Sequence, residues 1–151
     1  MIRIICIGKI KEEYLTNMIN DYTKRINKYH KLEIIELPDS NPKEEGERII
    51  SKLMTKSFKV ALSIEGKKIS SLEFANFISK NLMNYANIEF IIGGSDGLSN
   101  EVLNKVDFKL SFSDLTFPHG LFRGILLEQI YRGFKIINNE TYHKWGNIWK
   151  I

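Results

Sequence analysis

Three short stretches and one long one hold the side chains with chemical potential. IIGGSDGLS, residues 91–99, carries Gly93, Gly94 and Gly97, which free the backbone for close approach to a ligand. It is no nucleotide fingerprint: a dinucleotide loop needs G-x-G-x-x-G after the first strand, and a phosphate loop needs G-K-S/T after four intervening residues. Taken alone, it reads more often as just a tight turn. SIEGK, residues 63–67, offers one acid and one base. LSFSDLTFPHG, residues 110–120, has Asp114 and His119 as its titratable groups. A lone Asp there is readable as a helix cap and a lone His at a helix start as structural. Hydroxyls, backbone amides and apolar side chains dominate these loops, which suits a largely apolar ligand better than a triphosphate. The longer stretch LTFPHGLFRGILLEQIYRGF, residues 115–134, sets a Pro, a His, two Arg and a Glu at the start and along one flank of an otherwise apolar helix.

No metal-ligand spacing connects His30, His119 and His143, and the single Cys6 lies in an apolar run that reads as a buried strand, so it forms no internal disulfide. The elements that position the loops follow from periodicity. IRIICIG, KLEIIEL, FKVALSI, IEFII and FKLSF read as strands, with EGK as a turn after the third. A helix from about Glu12 to Tyr29 puts Leu15, Met18, Ile19, Tyr22, Ile26 and Tyr29 on one stripe. PKEEGERIISKLM starts with Pro in its first turn, and SSLEFANFISKNLMNYA opens on Ser with Glu73 near a capping-box position. In the last helix Phe122, Leu126, Ile130, Phe134 and Ile137 form a stripe, widened by Leu121, Leu127 and Tyr131 beyond what one sheet face needs. Strands alternating with helices over short connections imply an α/β fold, a mainly parallel sheet with helices on both faces. In such sheets ligands sit beyond the carboxyl ends of the strands, where the three loops fall.

At 151 residues, without linker, repeat or low-complexity tract, the chain reads as a single domain over 1–151. No apolar run approaches the roughly 20 residues that cross a bilayer, and MIRIICIGKIKEE turns charged too soon for a signal peptide, so a cytoplasmic protein with no membrane partner is expected. The formal charge of +4 is uneven: residues 118–151 hold five Lys and Arg against two Glu, making the C-terminal part the basic part. That is compatible with a polyanionic partner and equally with an ordinary solvated surface.

IIGGSDGLS, then LSFSDLTFPHGLFRG, then LLEQIYRGFKII and a closing TYHK, with GKIKEEYL, KLEIIELPD and ALSIEGK earlier, closely resemble the RlmH family of bacterial SPOUT-class methyltransferases over nearly the whole chain. The resemblance implies a C-terminal trefoil knot, a homodimer, S-adenosylmethionine as cofactor, and methylation at N3 of a pseudouridine in 23S ribosomal RNA, with the assembled ribosome as substrate. Carried over by position, it assigns the cofactor to Leu62, Gly93, Phe112, Ser113, Asp114, Leu115, Thr116 and Phe117. By residue type alone, Leu62, Leu115 and Phe117 read more readily as core.

The same resemblance buries the surplus apolar face of the last helix in the dimer, leaving Arg123 and Arg132 to reach either RNA phosphate or carboxylates such as Glu128. It places Arg123, Tyr142 and His143 near the RNA. Methyl transfer to an imide nitrogen needs alignment of donor and acceptor and removal of a proton. His143 is a candidate acceptor and Arg123 a candidate stabiliser of the anion. Chains of that family usually stop near the Tyr142-His143-Lys144 equivalent, whereas WGNIWKI, residues 145–151, continues here, with Trp145 and Trp149 available for the dimer or for base stacking. Two rival classes stay in view: a non-catalytic RNA-binding dimer of the same fold, and an enzyme using NAD or ATP, against which the missing fingerprints count.

Overall fold

A computed structural model describes residues 1–144. In chain order the elements are β1 Ile2–Ile7, α1 Glu13–Ile26, β2 Leu32–Leu37, α2 Pro42–Lys52, β3 Phe58–Lys68, α3 Ser71–Asn84, β4 Ile88–Ile92, α4 Asn100–Leu103, β5 Phe108–Ser111 and α5 His119–Ile137. The strands form one parallel sheet in the order β2-β1-β4-β3-β5. The expected α/β architecture is therefore observed. The roles considered for Trp145 and Trp149 lie outside the described residues.

The two innermost strands explain their own sequences. Every residue of β1 and β4 is buried, as strands covered on both faces must be, so IRIICI and IEFII are nearly continuous apolar runs. The exceptions are Arg3 and Glu89, register partners on these neighbouring strands, joined at 2.8 Å. On one face α1, α3 and α5 pack Ile19, Phe74, Ile78, Leu126, Leu127 and Ile130 against Ile4, Cys6 and Phe90. On the other, α2 and α4 pack Ile49 and Val102 against Ile5 and Ile91. The helix starts follow their caps. Asn41 accepts from the Glu44 amide at 2.9 Å ahead of Pro42, and Ser70 with Glu73 forms the anticipated capping box.

Two expectations are corrected. EGK is no turn: β3 runs through it to Lys68, and both Leu62 and Lys67 stand opposite Leu110, so residues 63–66 bulge out against a single position of β5. Gly66 is what permits this, since a Cβ there would lie 2.6 Å from the Lys109 carbonyl carbon. The widened apolar face of α5 is also consumed within the chain. Leu127 is fully buried and Tyr131 nearly so, because α1 and α3 flank α5 on both sides. Leu121 alone of that trio stays half-exposed.

Candidate functional site

The carboxyl ends of β3, β4 and β5 converge on a cavity of about 520 Å³, within the range of small-molecule sites. β3 supplies Leu62 to Glu65, the turn after β4 supplies Ile92 to Leu98, and the segment after β5 supplies Ser111 to Ser113 and Leu115 to Phe117. His119 and Phe122 of α5 close it. Seven of the eight residues expected to hold cofactor therefore line one cavity: Leu62, Gly93, Phe112, Ser113, Leu115, Thr116 and Phe117. Asp114 is the exception, its exposed carboxylate bound to the Lys68 ammonium beside the cavity.

Each wall has a local cause. The β4 turn folds back on itself, the Gly97 amide donating to the Gly94 carbonyl at 3.0 Å with Gly97 at φ +80. A Cβ on Gly93 would stand 2.9 Å from the Gly97 carbonyl carbon. Glycine at 93 is thus required by the turn itself, before any ligand approaches. The post-β5 segment is held by Ser111 Oγ donating to the Ser113 carbonyl at 3.1 Å and the Leu115 amide donating to Ser113 Oγ at 2.9 Å. Phe122 braces it from α5, edge-on to Phe112 at 5.2 Å and stacked on Phe117 at 6.0 Å.

The lining fits an adenosine-bearing sulfonium. Leu115 is 73% exposed, an apolar surface at the rim awaiting a cover. The amides of Thr116 and Phe117 have no hydrogen-bond partner among the described residues, which leaves donors for a ligand's polar edges. The titratable lining groups are Glu65, Asp96 and His119, a balance suited to a cation and not to a polyphosphate. Among the described residues no group of three His, Cys, Asp or Glu is arranged to hold a metal, and no helix is long and apolar enough to cross a membrane.

The other candidates sit elsewhere. Arg123 is 2% exposed, and its guanidinium is spent below the start of α5: Nη1 meets Glu36 Oε2 at 2.5 Å and Nη2 donates to the Gly8 carbonyl at 3.1 Å. Arg132 is committed to Glu128, with Nε at 2.9 Å and Nη2 at 2.6 Å from Oε1. The tail joins that pair. Arg132 Nη1 lies 3.0 Å from His143 Nδ1, and Tyr142 donates to Glu128 Oε1 at 3.3 Å under the Arg132 guanidinium. Because arginine only donates, His143 accepts at Nδ1 and carries its proton on Nε2 in this arrangement. Burial first, then a hydrogen bond to Tyr22 and the charge of Glu128, push the Tyr142 phenol well above its usual value. Arg132 lies thirteen positions beyond His119 of the cavity, about 20 Å along the axis of α5. Arg123, Tyr142 and His143 do not line the cavity of their own chain.

Sequence reasoning missed Glu36, the Arg123 partner, which looks like one more acid on an edge strand. It also missed Glu89, fully buried and accepting from Arg3, the Met54 amide at 2.9 Å and Ser57 Oγ at 2.5 Å. The signal available for Glu89 was an acid inside an otherwise apolar central strand opposite the single Arg of β1.

Comparison with known proteins places these features. Residues 1–143 match the family model described as Predicted SPOUT methyltransferase. A protein of Carboxydothermus hydrogenoformans named Ribosomal RNA large subunit methyltransferase H is 52% identical, the match covering 95% of this chain and 99% of that one. A protein of the same name from Clostridium beijerinckii is 46% identical with the same coverage. Among solved structures, a probable methylase family protein from Haemophilus influenzae superposes with a TM-score of 0.57 at 16% identity, over 95% of this chain and 70% of that one. The SpoU methyltransferase AviRb from Streptomyces viridochromogenes gives 0.51 at 13% identity, over 93% and 62%. At such identities the two structures speak for the fold alone.

Proposed function

Since the chain belongs to the SPOUT methyltransferase family, we propose that it methylates large-subunit ribosomal RNA, at N3 of a pseudouridine in 23S RNA on the assembled ribosome, with S-adenosylmethionine as donor. The observation that carries this reading is the single cavity lined by seven of the eight positions expected to hold the cofactor. The trefoil knot, the homodimer and a cytoplasmic setting belong to the same reading.

Bound there, S-adenosylmethionine supplies an electrophilic methyl group on a positively charged sulfur. The residues of this chain orient and enclose. Leu62, Leu115 and Phe117 offer apolar faces for an adenine, the glycine turn lets backbone come close on the other side, and Ser113 and Thr116 offer hydroxyls. Alignment of this kind accounts for much of the acceleration of a displacement reaction. The acceptor imide must also lose its proton; His143 and Tyr142 are the tail groups proposed to contact it, His143 taking that proton at Nδ1 once Arg132 lets go of it, with Arg123 the weaker candidate because its guanidinium is already committed. The span of about 20 Å along α5 between cavity and tail sets a condition: these tail groups serve the cavity of a second copy, so the dimer is part of the site.

The test is transfer of labelled methyl from S-adenosylmethionine to ribosomes lacking the modification, beside separate subunits and naked 23S RNA, with the modified nucleoside identified by mass spectrometry. Label on a pseudouridine in assembled ribosomes is expected. Cofactor binding without label on any RNA substrate refutes the acceptor assignment. Mixing a Phe117→Ala chain with a His143→Ala chain is expected to restore part of the activity that each homodimer lacks; no restoration means the tail does not act across the dimer.

A further inference from the structure

Of the five Lys and Arg that the sequence concentrates near the C-terminus, three are neutralised internally. Arg123 pairs with Glu36, Arg132 with Glu128 and Lys135 with Glu140. Among the described lysines that make no salt bridge, Lys56, Lys59, Lys67, Lys105 and Lys109 share the β5 edge of the sheet. Lys109 on β5 stands beside Ala61 of β3, and Lys59 lies two residues back along that strand on the same face. On this face Ala61 and Ser111 are buried, while Lys109 is exposed at its outer margin. Lys105, on the turn leading into β5, and Lys56, just before β3, border it, while Lys67 and Lys68 continue the edge past the bulge. Lys56, Lys67, Lys105 and Lys109 are exposed, and no carboxylate lies within salt-bridge distance of these four among the described residues. Two of the acids nearby are engaged, Asp107 accepting from the Lys59 amide at 2.8 Å and Asp114 holding Lys68, while Glu65 stands in the bulge two residues before Lys67. The edge ends at the cavity, since Lys109 and Phe112 are three residues apart, about 10 Å of extended chain.

We propose that this lysine edge is the track for the ribosomal RNA backbone, gripping phosphates next to the nucleotide presented to the cavity. The inference rests on the RNA substrate proposed above. Flexible lysines spread along an edge fit a phosphate chain, whose recognition at this level is electrostatic and independent of sequence. Lysines on an edge strand also guard against edge-to-edge pairing, and charge reversal separates the two roles, because glutamate guards an edge as well as lysine does.

The experiment compares the double variant Lys105→Glu/Lys109→Glu with Lys43→Glu/Lys52→Glu, an equal charge change on α2, by binding to naked 23S RNA over a range of salt and by methylation kinetics on ribosomes. The edge variant is expected to bind RNA about tenfold or more weakly, and its slope of log affinity against log salt to fall by about 1.5, while the α2 variant changes little. Raised KM for ribosomes with unchanged kcat and unchanged cofactor affinity supports the track. Equal effects from both variants, loss of cofactor binding, or self-association of the edge variant overturns it. Failure of the underlying reading shows separately, as absence of methylation by the unaltered protein, and leaves the RNA-binding comparison intact.

Discussion

Glu36→Gln is an informative single change, because Glu36 touches no residue of the cavity yet fixes the helix that closes it. Its carboxylate meets Arg123, whose side chain is 3% exposed; the glutamate side chain itself is 39% exposed. The amide keeps the shape and an acceptor oxygen but removes the charge, leaving a buried guanidinium with neutral carbonyls, those of Gly8 and Ile7 among them, as its partners. Stripping a buried cation of its counter-charge costs about 3 to 5 kcal/mol, and the retained carbonyl contacts together with partial water access bring the expected loss to about 2 kcal/mol. That is a large share of a typical stability of about 5 to 15 kcal/mol. Arg123 lies five positions into α5 and Phe122, beside it, braces Phe112 and Phe117, so the cofactor loop should loosen as well. Denaturant unfolding should show the stability loss, and calorimetry a several-fold weaker affinity for S-adenosylmethionine. Arg123→Lys should not rescue, since an ammonium cannot span carboxylate and carbonyls as the planar fork does. The reasoning is refuted if Arg123→Ala lowers kcat a hundredfold while stability moves by less than about 0.5 kcal/mol and cofactor affinity stays put; Arg123 would then be acting on the substrate.

Glu89→Ala strands Arg3, Ser57 and the Met54 amide in the core and should cost about 3 to 5 kcal/mol in urea unfolding; a loss under 1 kcal/mol would mean that water reaches the site. Gly97→Ala meets open space but holds a side chain at φ +80, so about 1 to 2 kcal/mol of strain and weaker cofactor binding are expected, measured together by thermal shift with and without cofactor. Three carboxylates are held below their usual range: Glu140 chiefly by Lys135, Glu73 by the Ser70 amide and Glu44 by the Ser40 hydroxyl. With folded values below unfolded ones, their contribution is complete above the ordinary Glu value near 4.3 and is lost as pH falls through the lowered folded values, so Tm should hold from pH 7 to 5 and drop below about 4. A Tm that rose on acidification would contradict those hydrogen bonds. Burial pushes the Cys6 thiol up to about 11, so it should resist thiol reagents at neutral pH until the chain unfolds.

What the sequence reveals depends on whether one residue's neighbours along the chain are also its neighbours in space. β1 and β4 announce themselves because a strand buried on both faces must be apolar throughout, and the α3 start is visible because the Ser70–Glu73 box is entirely local. Three loops at strand ends were legible as a site for the same reason: a parallel sheet brings the carboxyl ends of its strands to one edge. The bulge at residues 63–66 was not legible, because its cause is the backbone of β5 passing against Gly66, more than forty positions away in the chain. Charge misled for a related reason. Arg123 and Glu36 are 87 residues apart, so counting charge along the C-terminal segment scores the arginine as free when β2 has already neutralised it. The lysines of the β5 edge come from three separate stretches, 56–59, 67–68 and 105–109, and become one surface only when β3 and β5 pair. Local sequence density of charge therefore reports little about which cations share a surface; strand order decides that, and here it brings lysines of β3, β5 and their flanks onto one edge.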